Sequence, residues 1–81
     1  MHEFKEPQEK NLEKKYISIV EQIKSLISDE EDIVAILSNV SAALHQTFKW
    51  LWVGFYLVRN NELILGPFQG PVACFRIKKG E

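Results

Sequence analysis

Apolar residues at Leu12, Tyr16, Ile19, Val20, Ile23, Leu26 and Ile27 recur at spacings of three and four, which places them on one stripe of a helix. Glu13, Lys14, Lys15, Glu21, Gln22 and Lys24 fill the opposite, wet side. Ser28-Asp29-Glu30-Glu31 is a break and a restart. Ser28 with Glu31 fits a capping box, in which hydroxyl and carboxylate each satisfy a free backbone N–H. The acidic run also suits the positive end of a helix dipole. A second amphipathic helix is predicted to follow, with Ile33, Ile36, Leu37, Val40, Leu44 and Phe48 on one face. From Trp50 to Val58 the chain becomes aromatic and β-branched, which predicts a strand. Arg59-Asn60-Asn61-Glu62 is the turn, because Asn tolerates positive φ in tight hairpins. Leu63 to Phe68 returns as a second strand. Gly66-Pro67 and Gly70-Pro71 then punctuate the chain, and Val72 to Ile77 is a third short extended piece. Residues 1–10 are polar and contain Pro7; they read as a flexible lead-in or a first helical turn.

Alternation divides the first strand into two apolar faces. Leu51, Val53, Phe55 and Leu57 point one way and are expected to pack on the helices. Trp50, Trp52, Gly54, Tyr56 and Val58 point the other way. A glycine between Trp52 and Tyr56 removes a side chain, which predicts a notch flanked by two rings. That second face needs a cover: a ligand, a partner, or further strands of the same domain. A sheet begun this way calls for more strands, so residues 11–81 read as the N-terminal part of a single larger domain. The isolated chain is accordingly expected to expose an apolar patch or to self-associate.

Eighty-one residues make one domain at most. With 46% hydrophobic and 26% charged residues the composition is that of a globular protein. A formal net charge of −1 gives no reason to invoke nucleic acid or an acidic membrane surface. The apolar run from Trp50 to Val58 falls far short of the ~20 residues that span a bilayer. One cysteine excludes an internal disulfide and a multi-cysteine metal site within these residues, and fits a reducing, cytoplasmic compartment.

Few residues offer chemistry. Trp52 and Tyr56 fit a core or interface pair by pattern alone; they also suit an aromatic wall for a small apolar or cationic group. Cys74 is either a small buried hydrophobe or a reactive thiol. It follows a Gly/Pro turn and lies near Arg76, Lys78 and Lys79, and cationic neighbours favour a thiolate. The serines of the helices have no base partner in the sequence. His45 near the end of the second helix suits a surface or dipole-pairing role, and His2 sits in the lead-in. No phosphate loop, zinc pattern or Ser/His/Asp arrangement is present, and no cofactor is expected.

Trp52-Val53-Gly54-Phe55-Tyr56-Leu57, then Leu65-Gly66-Pro67-Phe68-Gln69-Gly70-Pro71-Val72-Ala73-Cys74, then Arg76-Ile77 closely resembles the free methionine-(R)-sulfoxide reductases. These are small cytosolic enzymes built on a GAF domain. The resemblance covers roughly residues 30 to 81, and the combination of the three motifs is specific to that family within GAF domains. It implies an α/β fold of the α+β kind, with two N-terminal helices on an antiparallel sheet of which only the first strands are present. It also implies a mechanism. A thiolate attacks the sulfur of methionine sulfoxide, methionine leaves, and the resulting sulfenic acid condenses with a second cysteine to a disulfide that thioredoxin reduces. The family's Trp and Tyr that line the pocket for the methylsulfinyl end match Trp52 and Tyr56. Cys74 matches the family's disulfide partner. By the same resemblance the family's second cysteine lies a few residues past Glu81, and the attacking cysteine and the acidic substrate-holding residues lie further on. Phe75 and the Lys78-Lys79 pair depart from the family pattern at loop positions.

The leading expectation is therefore the N-terminal part of such a reductase, with free methionine-(R)-sulfoxide and thioredoxin as partners and the 81-residue chain inactive by itself. The alternatives are a non-catalytic GAF module that binds a small ligand through Trp52 and Tyr56, or a dimerisation piece whose apolar second face meets another copy.

Overall fold

The chain is described here by a computed structural model over residues 4–78. Asn11 opens the first helix, α1 (Leu12–Ile27), and its side-chain oxygen accepts the Lys14 N–H at 3.0 Å. The second helix, α2 (Ile33–Phe48), is opened by Asp32 rather than by the expected Ser28/Glu31 box. Asp32 Oδ1 accepts the Ala35 N–H at 3.0 Å. Ser28 instead closes α1, donating its hydroxyl to the Ser25 carbonyl at 3.0 Å. The helix starts a turn later than the box requires, and a cap acts only on the N–H groups of its own first turn. Asp32→Ala should therefore cost about 1 kcal/mol of stability. Ser28→Ala should cost less than about 0.5 kcal/mol, as an exposed substitution away from a helix start. Urea unfolding of both variants checks the assignment, and equal losses would reject it.

Lys49 ends α2 in the left-handed conformation, at φ 58°, with its N–H bonded to the His45 carbonyl. That turn sends Trp50 back over the helices. Its ring stacks on Phe48 at 4.8 Å, and Phe48 meets Tyr16 at 5.1 Å. The ammonium of Lys15 lies 5.6 Å from the Phe48 centroid, within cation–π range. Trp50 is thus a partner of the helices, not the first residue of the strand. Leu51, expected to pack on the helices, is 80% exposed.

The strands are β1 (Val53–Arg59), β2 (Glu62–Gln69) and β3 (Arg76–Lys78), antiparallel in the order β1-β2-β3. Asn60 and Asn61 have φ of 51° and 65° and join β1 to β2, the geometry of a two-residue type I′ turn whose twist matches the strands. Arg59 pairs with Glu62, Tyr56 with Leu65, and Gly54 with Phe68. Between the last two pairs the register shifts: Gly66 and Pro67 together oppose Phe55, a β-bulge in β2. Pro67 has no N–H to give a ladder, and a bulge is where a strand tolerates that. The third extended piece is shorter than the sequence suggests, and residues 72–75 form a loop ahead of β3.

Helix α2 lies against β1 and β2, and α1 lies against α2. Covered from both directions, α2 buries Ser41, Ala43 and Thr47 most completely. The large residues of its predicted stripe are only half-buried, and Ile33 is exposed. Small side chains sit where backbones approach most closely, and Ser41 donates its hydroxyl to the Pro67 carbonyl at 3.4 Å. In α1 the fully buried residue is Ile19, while Leu12, Tyr16 and Val20 remain exposed.

Residues 4–10 are neither a helical turn nor a free lead-in. The Gln22 side chain exchanges two hydrogen bonds with the Lys5 backbone, at 3.0 and 2.8 Å. Glu6 pairs with the Lys49 ammonium. A cavity of about 200 Å³ lies where Phe4 meets the helices, lined also by Leu26, Asn39, Ala42, Ala43 and Gln46. It includes none of the hairpin aromatics. No helix among the described residues is long and apolar enough to cross a membrane.

Candidate active site

Trp52 stands just ahead of β1 and Tyr56 within it. The two rings share one face of the sheet, with centroids 6.2 Å apart, as alternation requires. Phe68, the cross-strand partner of Gly54, joins the same face and stacks on Trp52 at 5.7 Å and 18°. Gly54 does not leave a vacant notch. The Trp52 indole lies across it: a Cβ at residue 54 would come within 2.6 Å of Trp52 Cη2, and closer still to Phe68 Cβ. Gly70, at φ 129°, lets the chain after β2 run against the other edge of the indole. A Cβ there would stand 3.1 Å from Trp52 Cδ1. The indole is thus held over one glycine, against a second, and beside two rings. Its Nε1 is buried and has no hydrogen-bond partner among the described residues, a state that few buried polar groups hold.

Cys74 lies in the loop between β2 and β3 with its side chain exposed, so it is not a small core residue. Two hydrogen bonds hold the backbone of this loop, one at Cys74 and one at Phe75. The Tyr56 hydroxyl donates to the Cys74 carbonyl at 2.8 Å, and the Leu65 N–H donates to the Phe75 carbonyl, also at 2.8 Å. Arg76, one of the cations expected to act on the thiol, is drawn to another partner. The Arg76 guanidinium bonds Glu62 at 3.1 Å across the sheet, which leaves it engaged with a carboxylate. Lys79 and His2 lie outside the described residues.

The structure therefore brings all three predicted site residues together. Trp52 touches Tyr56 ring to ring, and Tyr56 bonds the residue that carries the thiol. His45 stays apart, in the last turn of α2. Phe68 is the member that sequence alternation missed. An aromatic wall beside a held, solvent-facing thiol can seat a small apolar group and offer a sulfur for exchange.

No family model matches the chain. A solved free methionine-R-sulfoxide reductase from Neisseria meningitidis, in complex with its substrate, aligns with 99% of this chain at a TM-score of 0.90 and 45% identity. The chain covers 48% of that protein. GAF domain-containing protein A of Dictyostelium discoideum is 52% identical over 69 residues, 84% of this chain and 44% of that protein. The free methionine-R-sulfoxide reductase of Escherichia coli is 39% identical over 66 residues, 80% of this chain and 40% of that protein. The chain thus spans less than half the length of each relative. Helices and sheet together define the class: a GAF fold. Within that class the chain is related, in sequence and in shape, to the free methionine-R-sulfoxide reductases.

Proposed function

We propose that the intact gene product reduces free methionine-(R)-sulfoxide to methionine by thiol chemistry. The observation that carries this reading is the 45% identity, at a TM-score of 0.90, to a reductase solved with its substrate. The grouping of Trp52, Tyr56 and Cys74 supports it. Trp52 and Tyr56 would flank the methylsulfinyl end, where an apolar wall excludes water from the sulfur.

The chemistry needs two thiols. A cysteine thiolate forms a bond to the sulfoxide sulfur, and the oxygen passes to the cysteine with a proton, giving a sulfenic acid and free methionine. A second thiolate attacks the sulfenic sulfur, and the oxygen leaves as water. A dithiol then reduces the resulting disulfide, accounting for the two electrons. Cys74, exposed on its loop, is assigned the second thiolate, and thioredoxin the dithiol. The attacking thiol must be another cysteine, because the 81 residues contain only Cys74. Association with a second copy belongs to the same proposal; what supports it is the exposure of Leu51, Val58, Val72 and Phe75.

The test is consumption of each methionine sulfoxide stereoisomer by the intact gene product with thioredoxin, followed by chromatography. The R form alone should be consumed. Trp52→Ala should lower kcat/KM by about tenfold or more through loss of the wall. Equal turnover of both stereoisomers, or none from fully reduced protein, overturns the proposal. The second reading, a GAF module that binds a small ligand without turning it over, draws on the 52% identity to GAF domain-containing protein A. It predicts Trp52-dependent binding with no consumption.

A further inference from the structure

Tyr56 carries two features that work on different partners. Its ring stacks with Trp52, while its hydroxyl donates to the Cys74 carbonyl at 2.8 Å. The cross-strand partner of Tyr56 is Leu65, whose N–H holds the next carbonyl, that of Phe75. One β1–β2 pair thus grips two consecutive peptide units of the thiol loop. The side chains on either side of the thiol pack on little: Val72 is 95% exposed and Phe75 80%.

We infer that the Tyr56 hydroxyl is a positioning group for Cys74, fixing the thiol loop against the aromatic wall so that sulfur reaches sulfur when the disulfide forms. This rests on the proposed reductase reading for the identity of the step. The geometry itself does not depend on that reading. The hydroxyl touches no reacting atom; it acts through the Cys74 backbone. A loop gripped at consecutive carbonyls has fewer conformations to lose before the thiolate attacks the sulfenic acid, and pre-organisation of that kind lowers the barrier to bond formation. The leaving oxygen still departs as water, and the electrons still come from the dithiol.

Tyr56→Phe separates the two features, since it keeps the ring and removes the hydroxyl. In the intact gene product, KM for methionine-(R)-sulfoxide should stay within about twofold, because the wall is unchanged. Loss of one neutral hydrogen bond corresponds to about a three- to tenfold fall in the rate of disulfide formation. In single turnover, the sulfenic acid should accumulate and be trapped by dimedone in the variant more than in the wild type. Tyr56→Ala should raise KM as well, because the ring is then lost. A structural role alone would not split KM from the disulfide step.

Amide hydrogen exchange gives a readout independent of catalysis. Tyr56→Phe should speed exchange at residues 65 and 72–76, and leave α2 protected. If the wild-type gene product shows no turnover, the reductase reading falls, and exchange alone decides the positioning role. Unchanged exchange in this loop overturns the inference whatever the activity. So does wild-type disulfide formation by an active Tyr56→Phe variant.

Discussion

Gly54→Ala will displace the Trp52 indole and destabilise the chain by about 1–3 kcal/mol, the usual cost of overfilling a packed site. An alanine gains about 0.4–1 kcal/mol over glycine by restricting the unfolded chain, so packing decides the sign. The new methyl would stand 2.6 and 2.9 Å from two carbons of the Trp52 ring, and nearer still to Phe68 Cβ. The Phe68 carbon is fixed to its own backbone and cannot swing aside. Trp52 can, but only by giving up its stacking on Phe68 and Tyr56. Gly66→Ala is the useful comparison. Its Cβ would meet the Phe55 carbonyl at 3.0 Å and Leu57 Cγ at 3.3 Å, contacts that ask for a smaller adjustment. Urea unfolding, with tryptophan emission recorded in a Trp50→Phe background, measures both effects. A Gly54→Ala protein of wild-type stability and unshifted Trp52 emission would show that the indole does not lie across residue 54.

A polypeptide of these 81 residues should show no stereospecific turnover of free methionine-(R)-sulfoxide with either thioredoxin or dithiothreitol. Cys74 is its single thiol. One sulfur cannot both take the sulfoxide oxygen and resolve the sulfenic acid by an internal disulfide. Dithiothreitol can replace a resolving thiol but not an attacking one, and the role proposed for Cys74 is the resolving one, so these residues would offer no attacking thiol. The assay sets the short polypeptide beside the intact gene product. Turnover by the short one would make Cys74 the attacking thiol and reverse the role proposed for it.

Elements with strong local signals are legible in the sequence itself. Two helices follow from spacings of three and four, and the hairpin from Asn60-Asn61, whose positive φ values are those the turn demands. The shared face of Trp52 and Tyr56 followed from period-two alternation. What escaped depends on contacts between distant residues. The helix cap fell at Asp32 because α2 begins after the acidic run rather than within it. Ser41 and Thr47, polar by composition, are the most buried residues of α2, because closeness of approach to neighbouring backbone outranks hydrophobicity there. Trp50 left the strand for Phe48 once Lys49 turned the chain. The grip of Gln22 on Lys5 and of Tyr56 on Cys74 spans 17 and 18 residues, and no periodicity encodes a pairing of that kind.

The bulge at Gly66-Pro67 sets the parity of the sheet. Carried on without interruption from Tyr56–Leu65, the ladder would set Phe68 opposite Val53. The extra residue sets it opposite Gly54 instead. Directly paired residues project to the same side, so the bulge is what turns the Phe68 ring toward Trp52. Gln69 is inverted with it. Hydrophobic alternation along β2 consequently cannot be read through residues 66 and 67; it restarts there with the opposite sign. A one-residue deletion in this stretch would be read by the strand as an exchange of its two sides, and the indole would keep Tyr56 but lose Phe68 as a stacking partner, although every aromatic residue remained in the chain.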